Sequence, residues 1–216
     1  MPAESLEKKS SRAKKIITRL KKQYPGATTA LKYDSPHQLL VSTILSAQST
    51  DERVNMVTPG LFKKYPSVQA FADAKLPELE KDIYTTGFYR NKAKAIKKSA
   101  QEIIQDYGGK VPDKLDDLVK LTGVGRKTAS VVLGAAFGLA EGIVVDTHVN
   151  RVSQRLGLTR HKDPVKIEQD LMKVIPRKDW IIFSNLLIHH GRALCKARKP
   201  DCPDCPVNKL CPSAQL

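Results

Sequence analysis

The chain has 216 residues, with 37 Lys and Arg against 22 Asp and Glu, a formal net charge of +15. That length allows one large domain or two small ones sharing a core, and the charge attracts polyanions, nucleic acid first among them. The start of the chain is charged throughout and lacks a signal-peptide core, and the longest apolar run, Ala129 to Ala140, is broken by Gly134 and Gly138, so a soluble, intracellular protein with no membrane partner is expected.

The basic N-terminal tip, residues 1–10, reads as disordered. Positive charge clusters in Lys8 to Lys22, Arg90 to Lys98 and Arg192 to Lys199, which favours a nucleic-acid surface over a coat that merely keeps the protein in solution. Ser35-Pro36, Leu76-Pro77 and Asp163-Pro164 mark helix starts: proline is tolerated in a first turn, and Ser35 and Asp163 can cap. Apolar residues recur at helical spacing in Ala93, Ile96, Ala100, Ile103, Ile104 and Tyr107, and again in Ile167, Leu171, Val174 and Ile175. These are core faces. Gly108 and Gly157 follow two such segments as stops. Only Ile143 to Val145 hints at a strand, so the chain reads as all-α, with about ten short helices and no sheet.

Leu121-Thr122-Gly123-Val124-Gly125-Arg126-Lys127-Thr128 places two glycines around one apolar residue between helical stretches. This pattern predicts a tight hairpin in which both glycines permit positive φ, Val124 tucks inward, and backbone amides face outward as a phosphate cradle. A nucleotide P-loop is excluded, because Lys120 stands where its earlier glycine should be. Lys127 then lies near the positive end of a helix running to about Gly138, where a protonated amine is disfavoured. Its commoner fate is a phosphate contact; its rarer one is a nucleophile. The chain length between them lets Asp146 return beside Lys127, with Val144 and Val145 anchoring the return. A bare amine and carboxylate pair is more often a salt bridge than an active site.

Four cysteines, Cys195-x6-Cys202-x2-Cys205-x5-Cys211, close the chain and are its only ones. In a reducing compartment such a cluster reads as metal ligands rather than disulfides. Zinc usually brings two short knuckles and here only Cys202 and Cys205 form one, so the spacing favours a [4Fe-4S] cube while leaving zinc open. Trp180, His189 and His190 read as packing residues.

The hairpin segment, Val145-Asp146-Thr147-His148-Val149-x-Arg151, the cysteine tail, Leu45-Ser46-Ala47-Gln48-Ser49-Thr50-Asp51 and Gly87-Phe88-Tyr89-Arg90-Asn91-Lys92-Ala93 occur in one order that closely resembles the endonuclease III family, DNA glycosylases of the helix-hairpin-helix superfamily. The resemblance covers roughly residues 10–212. It implies a two-domain fold: a six-helix barrel over residues 29–139 carrying the hairpin, and a cluster domain made from residues 140–216 with the N-terminal helix of residues 1–28, with the active site in the cleft between them. It implies a monomeric cytoplasmic enzyme on double-stranded DNA, excising oxidised or ring-saturated pyrimidines and cleaving abasic sites through a Schiff base. Lys127 and Asp146 would be catalytic, and Cys195, Cys202, Cys205 and Cys211 would hold a [4Fe-4S] cluster. Gln48 would fill the hole left by the flipped base and the Gly87-Phe88-Tyr89 loop would wedge the opposite strand. Arg90, Gly123, Val124, Gly125, Arg126, His148, Arg151, Lys196, Arg198 and Lys199 would contact or position DNA.

Two residues depart from the family's pattern: Phe88, where many bacterial members have leucine, and Thr122, where proline usually precedes the first glycine. Other readings remain open here. A monofunctional adenine or mismatch-thymine glycosylase shares the scaffold but lacks the lysine matched by Lys127. A non-enzymatic DNA-binding or redox-sensing iron-sulfur protein would need only the cluster and the charge, and a structural zinc protein only the thiols.

Overall fold

Helices begin where the capping residues stand. In the computed structural model, which describes residues 4–215, Ser35 accepts a hydrogen bond from the Gln38 amide to open α2 (Pro36–Ser46), and Asp163 accepts one from Lys166 to open α10 (Pro164–Val174). Eleven α-helices and several short 3-10 or π turns make up the regular structure, with no strand among the described residues. The all-α reading therefore holds, and the hint of a strand at Ile143 to Val145 becomes an extended segment without a strand partner. No helix among the described residues is long and apolar enough to cross a membrane.

The chain divides into two compact units. One is Thr29–Glu141; the other joins the chain up to Thr28 with the chain from Gly142 onward.

In the first unit, α2 is buried on almost every side, from Leu39 through Leu45. Around it stand α3 (Asp51–Lys64), α4 (Val68–Asp73), α5 (Leu76–Asp82), α6 (Tyr89–Tyr107), α7 (Leu115–Leu118) and α8 (Arg126–Val132). The stripe expected on α6 is realised: Ala93, Ile96, Ala100 and Ile103 are buried, with Ile104 and Tyr107 packed against the same core. Gly108 ends that helix in the left-handed conformation, φ 59°. Not every cation of the Arg90 to Lys98 run faces solvent: Lys92 is buried and Lys97 donates to the Ala74 carbonyl at 2.6 Å.

In the second unit, α1 (Leu6–Gln23) buries Ala13, Ile16, Ile17 and Leu20, a helical stripe, against a core shared with α9 (Thr147–Arg155), α10 and α11 (Trp180–Ala193). This corrects the expectation of a disordered tip. Of residues 1–10, residues 1–3 lie outside the described residues, but Ser5 caps Lys8 and the helix runs from Leu6. The cause is tertiary: Ser10 donates to the Val174 carbonyl, and Arg12 pairs with Glu4 while donating to the Leu156 and Leu210 carbonyls. A basic, solvent-facing composition does not reveal such partners.

Candidate active site

The hairpin follows α7. Val124 donates to the Leu121 carbonyl at 3.0 Å and is buried, as its apolar side chain requires. Gly123 takes φ 81°, and a Cβ there would stand 2.5 Å from the Ala95 Cβ, so the turn needs glycine both for its backbone and for its close approach to α6. The expectation for Gly125 is corrected: it is extended, φ −86° and ψ 169°, and serves as the N-cap of α8. Glycine brings no side-chain acceptor, so the amides of the first turn of α8 keep their capacity to bind an anion. Thr122 is held by Glu102, whose carboxylate accepts from the Thr122 amide at 2.8 Å and from its hydroxyl at 2.7 Å.

Lys127 is the second residue of α8 and is exposed. Among the described residues of its unit no ion pair engages its amine. Beyond α8 a π turn, Leu133–Phe137, carries the chain to Gly138 at φ 69°, and the Tyr33 hydroxyl donates to the Ala135 carbonyl of that turn at 2.7 Å. Arg126 sits beside Lys127 at the exposed start of α8.

Two further residues of this unit stand out by backbone conformation. Gln48, just beyond α2, has φ 54°, and Phe88, just before α6, has φ 46°. Both are exposed, Phe88 to 62%. Non-glycine residues occupy this region rarely, and bulky ones at a cost. Next to Phe88, the Tyr84 and Tyr89 rings pack tilted at 52° with centres 4.9 Å apart, and the Arg90 guanidinium lies 5.6 Å from the Tyr89 ring. The exposed Tyr84 and Phe88 rings offer faces that suit stacking on bases.

In the second unit Asp146 is the N-cap of α9, one carboxylate oxygen accepting from the Val149 amide at 2.7 Å. Ile143 is buried and Val145 packs on the same core, which fixes the strand-like approach to the cap. His148 lies against Gly191, where a Cβ would come within 2.8 Å of its Nδ1. The Arg151 guanidinium lies 3.1 Å from that Nδ1. Burial holds the His148 pKa below the ordinary imidazole value; Asp146 opposes the shift and Arg151 and Arg192 add to it.

Arg151 also donates to the Gly191 carbonyl at 3.0 Å and to the Cys195 carbonyl at 3.2 Å. It ties α9 to the end of α11, a positioning role beside the expected phosphate contact. Arg155, which sequence reasoning missed, does the same one turn later: it donates to the carbonyls of Lys196 at 2.7 Å and Ala197 at 2.9 Å. Lys196, Arg198 and Lys199 are left exposed on the loop so held, Lys199 in the left-handed region at φ 51°.

All four cysteines line one cavity of about 580 Å³, together with His190 and Arg155. No three metal-binding side chains among the described residues converge on a point that could hold an ion. Four thiols lining one cavity could supply one thiolate to each iron of a four-iron cluster. Burial, with the neighbouring thiols, pushes the Cys205 and Cys211 pKa values up, so these ligands ionise readily only when a cation is present to meet them. His190 is buried beside the cysteines, as a packing residue would be, between the Tyr24 hydroxyl, 3.1 Å from Nδ1, and the Cys205 sulfur, 3.6 Å from Nε2.

The HhH-GPD superfamily of base excision DNA repair proteins matches residues 41–177. The endonuclease III of Synechocystis sp. is 56% identical over 207 residues, 96% of this chain and 94% of that protein. Among solved structures, a non-covalent endonuclease III–DNA complex superposes with a TM-score of 0.88 at 44% identity, covering 95% of this chain and 96% of that one. A trapped endonuclease III–DNA covalent intermediate with an estranged adenine matches with the same TM-score of 0.88 and 44% identity.

Proposed function

Because the chain belongs to the endonuclease III family of HhH-GPD base excision DNA repair proteins, we propose that Lys127 is the nucleophile with which it excises damaged pyrimidines from duplex DNA. The chain is a base-excision repair DNA glycosylase with AP lyase activity. The observation that carries the assignment is the exposed Lys127 amine at the start of α8, directly after a glycine hairpin that gives the helix no side-chain cap, and free of an ion pair within its unit.

The lesion nucleotide leaves the base stack, since its C1′ is unreachable inside the duplex. The Lys127 amine attacks C1′; the C1′–N bond breaks, and the base departs with the bonding pair and takes up the proton that the amine gives up. The C1′–O4′ bond then breaks with its pair going to O4′, which takes up a proton, and an iminium is left between Lys127 and C1′. Loss of a C2′ proton then expels the 3′ phosphate by β-elimination, and water hydrolyses the imine to free Lys127. Asp146 caps α9 with one oxygen, and its carboxylate charge stabilises the cationic sugar or accepts a proton. His148 and Arg151 hold Asp146 and its helix in place.

Oxidised or ring-saturated pyrimidines are the proposed substrates, and the protein acts on them as a cytoplasmic monomer. Gln48 enters the space vacated by the base and Phe88 wedges the opposite strand, with Tyr89, Arg90, the hairpin from Gly123 to Arg126, and the exposed Lys196, Arg198 and Lys199 gripping the backbone. Cys195, Cys202, Cys205 and Cys211 would hold a [4Fe-4S] cluster, which when bound supplies a closed centre that shapes the loop and leaves no open iron for substrate. Borohydride reduction in the presence of an abasic duplex should trap a covalent complex with the wild-type chain and none with Lys127→Ala. A wild-type chain that gives no adduct would overturn the lyase mechanism.

A further inference from the structure

Lys92 lies within a motif that the function otherwise explains through its neighbours, yet its own side chain faces inward. It is 5% exposed, and its ammonium donates to the Leu45 carbonyl and to the Thr86 carbonyl, each at 2.7 Å. Neither acceptor is arbitrary. Leu45 belongs to the last turn of α2, where carbonyls lack intrahelical partners and the helix end is negative. Thr86 is the last residue of the 3-10 turn before Gly87.

Gln48 follows Leu45 by three residues, and Phe88 follows Thr86 by two. Both are exposed residues held at positive φ, 54° and 46°. A left-handed conformation in a glutamine or phenylalanine persists only where the surroundings over-determine it. One buried cation therefore fastens the roots of both strained turns, from a helix whose Ala93 and Ile96 are locked in the core. Burial also pushes the Lys92 pKa below its ordinary value. A cation kept in such a place serves its two carbonyls and is closed to phosphate.

We propose that Lys92 is the positioning residue of the base-flipping apparatus: it fixes the spacing of Gln48 and Phe88 so that both enter the DNA together. This rests on the glycosylase function proposed above. Opening a paired base needs both residues in register, whereas an abasic site has already lost its stacking.

The test uses the full-length holoenzyme with Lys92→Met, which keeps the volume and removes the donors, and Lys92→Arg, which keeps the cation but not its shape. Excision from a duplex carrying dihydrouracil should fall about tenfold to a hundredfold in Lys92→Met, and less in Lys92→Arg. Cleavage of the abasic duplex should stay within about twofold in both, because Lys127 is untouched. In a Gln48→Ala/Phe88→Ala background the same Lys92 substitutions should add almost nothing to the loss. Thermal melting identifies variants that fail to fold; Lys92→Arg carries the test if Lys92→Met is one of them. Equal losses on both substrates in a folded variant, or full additivity with the Gln48 and Phe88 changes, overturn the proposal. A wild-type chain inactive on both duplexes instead overturns the function on which it rests.

Discussion

Glu102 and Thr122, on α6 and in the hairpin turn, are joined by two hydrogen bonds of 2.8 and 2.7 Å to one carboxylate. The first of these exists only because Thr122 is not proline. Where the family's proline presets the backbone, this chain keeps an amide and a hydroxyl and clamps both from α6. Glu102→Ala should therefore lower the unfolding free energy by about 1 kcal/mol, and Thr122→Val, which retains the amide, by less. Denaturant unfolding of the two variants checks the order. If Glu102→Ala matches the wild type, the clamp contributes nothing.

Gly123 is constrained twice over. Its φ of 81° disfavours any side chain, and a Cβ would meet the Ala95 Cβ at 2.5 Å. Because the opposing atom belongs to a helix rather than a flexible chain end, the hairpin itself must move. Gly123→Ala should cost about 1–3 kcal/mol of stability, and should weaken DNA binding because the amides of the α8 first turn shift with it. Adding Ala95→Gly relieves the steric part and leaves the backbone part, so a partial recovery in melting temperature is expected. Complete recovery would mean that φ strain is negligible.

His37 sits in the first unit with its Nε2 buried and without a hydrogen-bond partner, packed edge-on against Phe71 at 5.2 Å. Burial pushes its pKa down to about 4. Its ordinary value is about 6.5, so between those limits the unfolded chain binds a proton that the folded chain refuses. Stability is then complete above about pH 6.5 and falls as the pH drops toward 4, by an amount on the order of 3 kcal/mol for this one residue. His37→Phe should flatten the stability profile between pH 6.5 and 4.5. An unchanged slope would assign the acid sensitivity to other groups.

Much of this was legible locally. Ser35 and Asp163 cap the helices their prolines announce, and Gly108 stops α6, because each signal acts over a few residues. The motif residues could be named for the same reason, each matching a short segment. What stayed hidden depends on partners far along the chain. The burial of Lys92 is decided by the Leu45 carbonyl, and the inward turn of Arg155 by a loop about forty residues later. The N-terminal tip looked disordered because its charges are plain in the sequence, while the α10 carbonyl that receives Ser10 is not. Gly125 is a further case: a glycine permits positive φ, but whether the turn uses it depends on how α8 leaves the hairpin.

The loop from Cys195 to Cys202 separates two functions that its composition mixes. Arg155 holds the loop backbone through the Lys196 and Ala197 carbonyls and approaches the Cys195 sulfur at 3.4 Å, while Lys196, Arg198 and Lys199 point their charge outward. On the proposed reading that these exposed cations meet phosphate, Lys196→Glu, Arg198→Glu and Lys199→Glu should each weaken binding to duplex DNA and reduce its salt dependence, with one counterion fewer released. All three should keep the visible absorbance of the bound cluster. Arg155→Ala should do the reverse in part: its loss frees two carbonyls and loosens the cysteine framework, so the cluster absorbance should bleach faster on exposure to chelator, with DNA affinity falling as a consequence. Bleaching curves and salt-dependent binding measured on all four variants separate the two effects. If the charge reversals bleach as fast as Arg155→Ala, the exposed cations are part of the cluster's support, and the loop is structural throughout.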